Sequence, residues 1–343
     1  MMATLAVVAH GAGDLRVESR DEQALGPGQV EVGIEVGGIC GSDLHYFHRG
    51  GVGDFRIREP LVLGHEVAGR VTRLGPEVAG VEVGRRVAID PSAPCGACGP
   101  CRRGARNLCA DVRFLGSAAR FPHAQGAFRE RAVVGAEQCL AVPENVPLEI
   151  AVFAEPLAVA FHAVGRAGPV LGRRVLITGA GPIGLLIALV AVRGGAAAVT
   201  VTDVVDAPLE LAGRIGVTDT VNVASGTQPP PADIALEASG APDAVRACVE
   251  AVGPGGRVVL VGMLPPGLTA APVNRVVTHE VDLVGSFRFI GDEFAAALGA
   301  LADGLDVEPL LTGRYPAGEA VAAFEAASRR EESMKVQLVF GGP

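Results

Sequence analysis

Residues 174–203 limit what this chain can fold into more than any other stretch. A short apolar run, 174–178, leads directly into Gly179-Ala180-Gly181-Pro182-Ile183-Gly184. An apolar helical run to about Arg193 follows, then a second strand-like run, 198–202, ending at Asp203. A bare G-x-G-x-x-G is a weak signal, but strand, glycines, helix, strand and terminal acid in this order are specific. The glycines allow a tight turn and let backbone approach a pyrophosphate, whose charge sits at the helix N-terminus. An acid about twenty residues beyond the last glycine suits the 2′-hydroxyl of an adenosine ribose. The stretch therefore predicts a doubly wound parallel sheet that binds a nicotinamide dinucleotide. Asp203 would repel a 2′-phosphate and residues 204–208 hold no arginine to reverse that, so NAD is favoured over NADP. Strands over 233–237 and 257–262, flanking a helical run 243–252, continue the winding.

The cysteines carry the second strong pattern. Cys95, Cys98, Cys101 and Cys109 lie in a loop with Pro94, Gly96, Gly99, Pro100 and Gly104. Thiols so close in a tight loop are poor disulfide candidates, but as thiolates they surround one tetrahedral zinc. Four thiolates close the coordination sphere, so this lobe, 91–112, is expected to brace the fold and not to react. Four incidental reduced cysteines are the plainer alternative.

A third stretch offers chemistry. Cys40-Gly41-Ser42-Asp43-Leu44-His45-Tyr46 follows the alternating run 29–36, and Gly64-His65-Glu66 supplies another imidazole and a carboxylate. One thiolate, one histidine and oxygen ligands hold a catalytic zinc with a position open to substrate. Such a zinc is a Lewis acid that lowers the pKa of a hydroxyl placed there. Around these motifs, residues 3–145 read as short strands and turns, 151–167 as a mostly helical bridge, 293–304 as a last helix, and the remainder as short strands ending at 336–340.

With 343 residues, 49% of them hydrophobic, the chain has enough material for two cores. A formal charge of −9 argues against nucleic acid or an anionic membrane as partner. No basic leader precedes an apolar run, and no run of 18 uncharged apolar residues occurs, so a soluble cytoplasmic protein is expected.

Along its whole length the sequence resembles the zinc-dependent medium-chain dehydrogenases. The resemblance rests on Cys40-Gly41-Ser42-Asp43, Gly64-His65-Glu66, the four-cysteine lobe and the Gly179 fingerprint. His45-Tyr46, Glu155-Pro156-Leu157 and Phe287-Arg288-Phe289 are similar to the polyol branch. Within it, Arg113-Phe114-Leu115-Gly116-Ser117-Ala118, Phe121-Pro122-His123 and Gly285-Ser286-Phe287-Arg288-Phe289 resemble the L-idonate 5-dehydrogenases more than the sorbitol dehydrogenases.

The resemblance implies a GroES-like β-rich catalytic domain, 1–150 and 289–343, with an inserted Rossmann domain, 151–288. It implies two zinc ions per chain. Cys40 and His65 would bind the catalytic one, with Glu66 or Glu155 completing the shell directly or through water, and Ser42 and His45 in a proton relay. Gly179, Gly181, Pro182, Ile183, Gly184, Asp203, Val261, Gly262, Ser286, Phe287 and Arg288 would meet the cofactor. Tyr46, Arg120, His123, Glu155, Arg288 and Phe289 would meet a sugar acid or polyol. The expected reaction is hydride transfer from L-idonate to NAD giving 5-keto-D-gluconate, by a homotetramer or dimer. The alternatives are a sorbitol- or xylitol-type polyol dehydrogenase and a non-catalytic zinc- and dinucleotide-binding regulatory module. Hydride transfer with a substrate panel separates the module from the enzymes.

Overall fold

The computed structural model describes residues 3–341, in two compact units. The first takes the chain up to Glu155, then Ile290–Arg329, then everything from Lys335 on. The second takes Pro156–Phe289 and a short return, Arg330–Met334. Glu155 thus stays with the first unit, and Arg330–Met334 joins the second, a crossing that the sequence pattern did not announce.

The second unit is built on six parallel strands in the order Asp219–Asn222, Ala198–Asp203, Arg174–Thr178, Ala232–Glu237, Val252–Leu260, Asp282–Gly285. Runs such as Val175, Leu176 and Ile177 are buried on both faces, as a covered parallel sheet requires. The helix Pro182–Arg193 is apolar all round and buried from Gly184 to Ala191. After Arg174–Thr178 the chain winds to one side of that strand and then returns to the other. The reversal leaves a crevice at the carboxyl end of Arg174–Thr178, where such sheets bind ligands.

The first unit holds a seven-stranded mixed sheet centred on Gln29–Gly38, which pairs with Glu66–Leu74, Arg131–Gly135 and Lys335–Val339. The register sets Gly38 opposite both Glu66 and Gln337. Cys40, His65, Glu66 and Lys335 are therefore delivered to one end of three neighbouring strands, though Lys335 is far from the other three in sequence.

Several helices lie outside the elements expected from the sequence. Gly41–Arg49 is a helix and not part of an all-β region. Cys40 is its N-cap, the carboxylate of Asp43 accepts the Cys40 N–H at 3.0 Å, and Gly50 closes it at φ 62°. Asp206–Arg214 follows Asp203, and Ala320–Ser328 occupies a region expected to be strands. The last is short and alanine-rich, with Ala320, Ala323 and Phe324 buried at helical spacing. Leu148–Ala167 is the one helical stretch among the described residues long and apolar enough to cross a membrane. It is 61% buried and contains the buried carboxylate of Glu155, features of a core helix.

Candidate active site and metal centres

The ligand atoms of Cys40, His65 and Glu66 lie within 4.8 Å of one another. His65 and Glu66 are buried and Cys40 is half-buried. Asp43, fully buried, holds this group together. One carboxylate oxygen accepts from the Cys40 N–H; the other accepts from the Gly64 N–H at 3.3 Å and lies 3.7 Å from His65 Nδ1. Asp43 was read only as part of a motif, so the residue that joins the two ligands was missed. Its signal was an acid three residues after a helix cap, concealed because the cap is cysteine and not serine or threonine.

Lys335 was missed as well. Its Nζ donates to Glu66 Oε1 at 2.7 Å and to the Ile39 carbonyl at 3.1 Å, and both side chains are essentially sealed from solvent. Oε2 lies 2.5 Å from Nζ but makes no hydrogen bond of its own. Gly38 makes room for the pair, since a Cβ there would overlap Oε2 of Glu66 and press on Lys335 at 3.3 Å. Glu155, 5% exposed, stands outside the three clustered groups but feels their charge. Burial pushes its carboxyl well above the ordinary range and Glu66 and Cys40 add to this, while His65 opposes them. Burial, then the Glu66 charge, pushes the Cys40 thiol up to about 12. Ionised together, Cys40, Asp43, Glu66 and Glu155 outweigh Lys335 by three charges. A divalent cation on Cys40 and His65 offsets two of them and holds the thiolate, so these residues fit a zinc ion.

Ser42 and His45 lie half-buried on the same helix. Desolvation, then Arg49 and His48, lowers the His45 pKa, which keeps a neutral imidazole able to accept a proton. Phe114, also unanticipated, sets its ring 5.4 Å from that of His65.

Three residues expected at the substrate are otherwise engaged. Tyr46 is 3% exposed and its hydroxyl accepts the Ala118 N–H at 2.8 Å, so it packs in the core and pins the loop. His123 Nδ1–H donates to the Arg120 carbonyl at 2.6 Å while Nε2 accepts the Arg58 N–H at 2.9 Å. Both ring nitrogens serve backbone, which leaves none for a substrate carboxylate. Arg120 pairs with Asp111 at the surface. A residue type visible in sequence does not reveal which partner it has taken.

In the lobe, the four cysteine sulfurs also lie within 4.8 Å of one another. The Cys95 and Asp111 N–H groups each donate to the Cys109 sulfur at 3.3 Å. N–H groups of Cys101 and Ala110 hold the Cys98 thiol down at about 6. Burial pushes the Cys101 thiol the other way, up to about 12, so amides favour only part of the set, and it is the gathering of four sulfurs that fits a closed zinc site.

In the second unit, Gly179, Val261, Gly262, Ser286 and Phe287 follow the carboxyl ends of three strands of the parallel sheet. A Cβ on Gly179 (φ 93°) would come 2.8 Å from Ser239, and one on Gly184 would overlap the Gly179 carbonyl. Gly181 faces open space and caps the helix Pro182–Arg193 without any side-chain bond, leaving a cradle of amides suited to a pyrophosphate; Pro182 and Ile183, half-buried, form its first turn. The Val261 and Gly262 N–H groups donate to the Glu237 carbonyl at 2.8 and 2.9 Å. Glu237 is itself buried and accepts the Ser239 and Gly240 N–H groups at 2.8 Å each, an organising role not foreseen. The Arg288 guanidinium lies 4.7 Å from the centre of the Phe287 ring, Arg288 adopts φ 56°, and Phe289 is buried.

The alcohol dehydrogenase GroES-like domain matches residues 26–144, and the zinc-binding dehydrogenase family matches 182–303. L-idonate 5-dehydrogenase of Escherichia coli is 40% identical over 316 residues, covering 90% of this chain and 91% of that one. The chain belongs to the zinc-dependent medium-chain dehydrogenases. Sorbitol dehydrogenase of Gallus gallus is 37% identical over 346 residues, with 97% and 96% covered. The crystal structure of E. coli L-idonate 5-dehydrogenase superposes with a TM-score of 0.92 at 38% identity over 99% of both chains. Membership in this polyol and sugar-acid dehydrogenase family matches the paired architecture, a GroES-like unit bearing two candidate metal centres and a Rossmann unit bearing a dinucleotide cradle.

Proposed function

We propose that the protein oxidises a secondary alcohol of a sugar acid, L-idonate to 5-keto-D-gluconate, with NAD as hydride acceptor. The observation that carries the choice of substrate is the 40% identity to L-idonate 5-dehydrogenase, extended by the shared fold. When bound, zinc supplies Lewis acidity to the substrate hydroxyl. Cys40 and His65 hold it, Glu66 and Glu155 balance its charge, and Asp43 fixes the separation of the first two. Ser42 and His45 carry the hydroxyl proton towards solvent. A bound dinucleotide would rest on Gly179–Gly184, with Val261, Gly262, Ser286 and Phe287 beside it. With Arg120 and His123 engaged elsewhere, Arg288 is the cation assigned to the substrate carboxylate, which a guanidinium grips through two hydrogen bonds.

A polyol such as sorbitol or xylitol is the second reading, because Arg120 and His123 of the loop 113–123 are engaged in internal bonds. The test is a panel of sugar acids and polyols followed by NADH absorbance, on wild type and Arg288→Ala. L-idonate should lead, and Arg288→Ala should lower its kcat/KM by roughly tenfold or more while sorbitol changes less. Equal use of sorbitol by the wild type would replace the first reading with the second. We further propose a cytoplasmic homo-oligomer, a dimer or tetramer, since the outer strand Asp282–Gly285 has a neighbour on one side only and exposes Leu283. Sedimentation showing only monomer would refute the assembly.

A further inference from the structure

Asp203 is 6% exposed and its carboxylate is already fully engaged. Oδ2 accepts from the Ala180 N–H and from Arg330 Nη2, both at 2.8 Å. Oδ1 accepts the Val204 and Val205 N–H groups at 2.7 and 3.1 Å. A carboxylate has about four acceptor positions, so a ribose hydroxyl can reach Asp203 only by displacing a donor. Three of the donors are backbone amides fixed by the turn. The fourth, Arg330, has a side chain 55% exposed and is the one able to move aside.

We propose that Arg330 selects the cofactor: paired with Asp203, it lets the adenosine end of the site accept a ribose 2′-phosphate as well as a 2′-hydroxyl. The acid by itself would repel a phosphate. A guanidinium at hydrogen-bond distance cancels that charge and carries five N–H donors, more than one carboxylate oxygen uses. Its planar fork matches phosphate geometry. With a 2′-hydroxyl bound, Arg330 swings out and Asp203 takes the hydroxyl; with a 2′-phosphate bound, Arg330 bridges acid and phosphate. Residues 204–208 provide no such cation, and the crossing segment Arg330–Met334 brings one from far along the chain.

The inference rests on the dinucleotide reading, and a binding titration tests the two separately. Fluorescence titrations of NADH and NADPH, without substrate, give the ratio of their Kd values. Arg330→Ala should raise the NADPH-to-NADH ratio roughly 10- to 100-fold, the worth of a lost charge-assisted bond. Arg330→Gln, which keeps the stem but not the charge, should raise it too, and residual NADH binding reports that either variant is folded. An unchanged or lower ratio in both variants would overturn the role of Arg330 while leaving the dinucleotide reading intact. A wild-type protein that bound neither nucleotide would overturn both.

Discussion

The two candidate metal centres use the same element of chemistry, a thiolate, in opposite ways. In the lobe all four ligands fall between Cys95 and Cys109, one of them exposed, and backbone amides stabilise the sulfurs directly. At the catalytic centre Cys40 comes from one segment and His65 and Glu66 from another, and part of the charge is offset by a buried lysine 269 residues from Glu66 along the chain. On the proposed reading the first site, closed on itself, would brace the fold and not react. The second leaves Glu66 shared between the cluster and Lys335, and it depends on the whole sheet for its geometry. On this proposal the local ligands would serve structure and the distant ones reaction.

Removing one thiol from each centre should separate them most sharply. Cys40→Ala is expected to abolish activity and leave a folded protein with one zinc per chain by metal analysis. Cys98→Ala is also expected to lose one zinc, but with a lowered unfolding midpoint, because metal binding at a structural site is folding free energy. Two zinc ions remaining in Cys40→Ala would break the comparison at once.

The next largest effect is expected at the lysine. Lys335 and Glu66 are 2% and 0% exposed, and removing one partner strands a buried charge at a cost of about 3–5 kcal/mol. Lys335→Met should therefore be markedly less stable in chemical denaturation, and adding Glu66→Gln should recover much of the loss as a coupling between the two. A cost under about 1 kcal/mol would mean the pair behaves like a surface ion pair.

What could be read beforehand follows the same division. The lobe and the glycine fingerprint were legible because their residues are local and their spacing is the mechanism. Cys40, His65 and Glu66 were legible as types but not as a geometry. Asp43 was hidden by an unusual cap, and Lys335 stands in an apolar run where only strand pairing shows what it meets. Arg330 was invisible as the partner of Asp203 because the two meet only where the chain returns to the second unit after Arg329. For His123 and Arg120 the sequence displays a cation but not the backbone carbonyl or carboxylate with which it pairs in the structure. The helix Gly41–Arg49 was lost because its glycine and polar residues imitate a loop.

Asp43 offers a smaller test. An asparagine there presents one acceptor oxygen where the acid has two, so Asp43→Asn can keep the Cys40 N–H or the Gly64 N–H but not both. Groups that orient metal ligands cost about 10- to 100-fold in metal affinity or activity when changed. Competition with a chelator should show the catalytic zinc released more readily while the lobe retains its own. Equal loss from both centres would show that Asp43 supports the fold in general.

The smallest effect is expected at Arg120, and it concerns the loop that follows the lobe. Its guanidinium meets Asp111 at the surface, with side chains 35% and 59% exposed, and such pairs are worth about 0–1 kcal/mol. Were Arg120 instead a substrate ligand, its removal would cost roughly tenfold or more in kcat/KM for an acid substrate and little for a polyol. Arg120→Ala should therefore leave the L-idonate to sorbitol ratio unchanged within about twofold, a difference well below 1 kcal/mol. His123→Ala should act differently despite lying three residues away: it empties a buried position and leaves the Arg58 N–H and Arg120 carbonyl without their partner, so stability falls while the ratio again holds. A selective loss of L-idonate turnover in Arg120→Ala would restore that residue to the substrate site and make the loop part of the reaction rather than part of its frame.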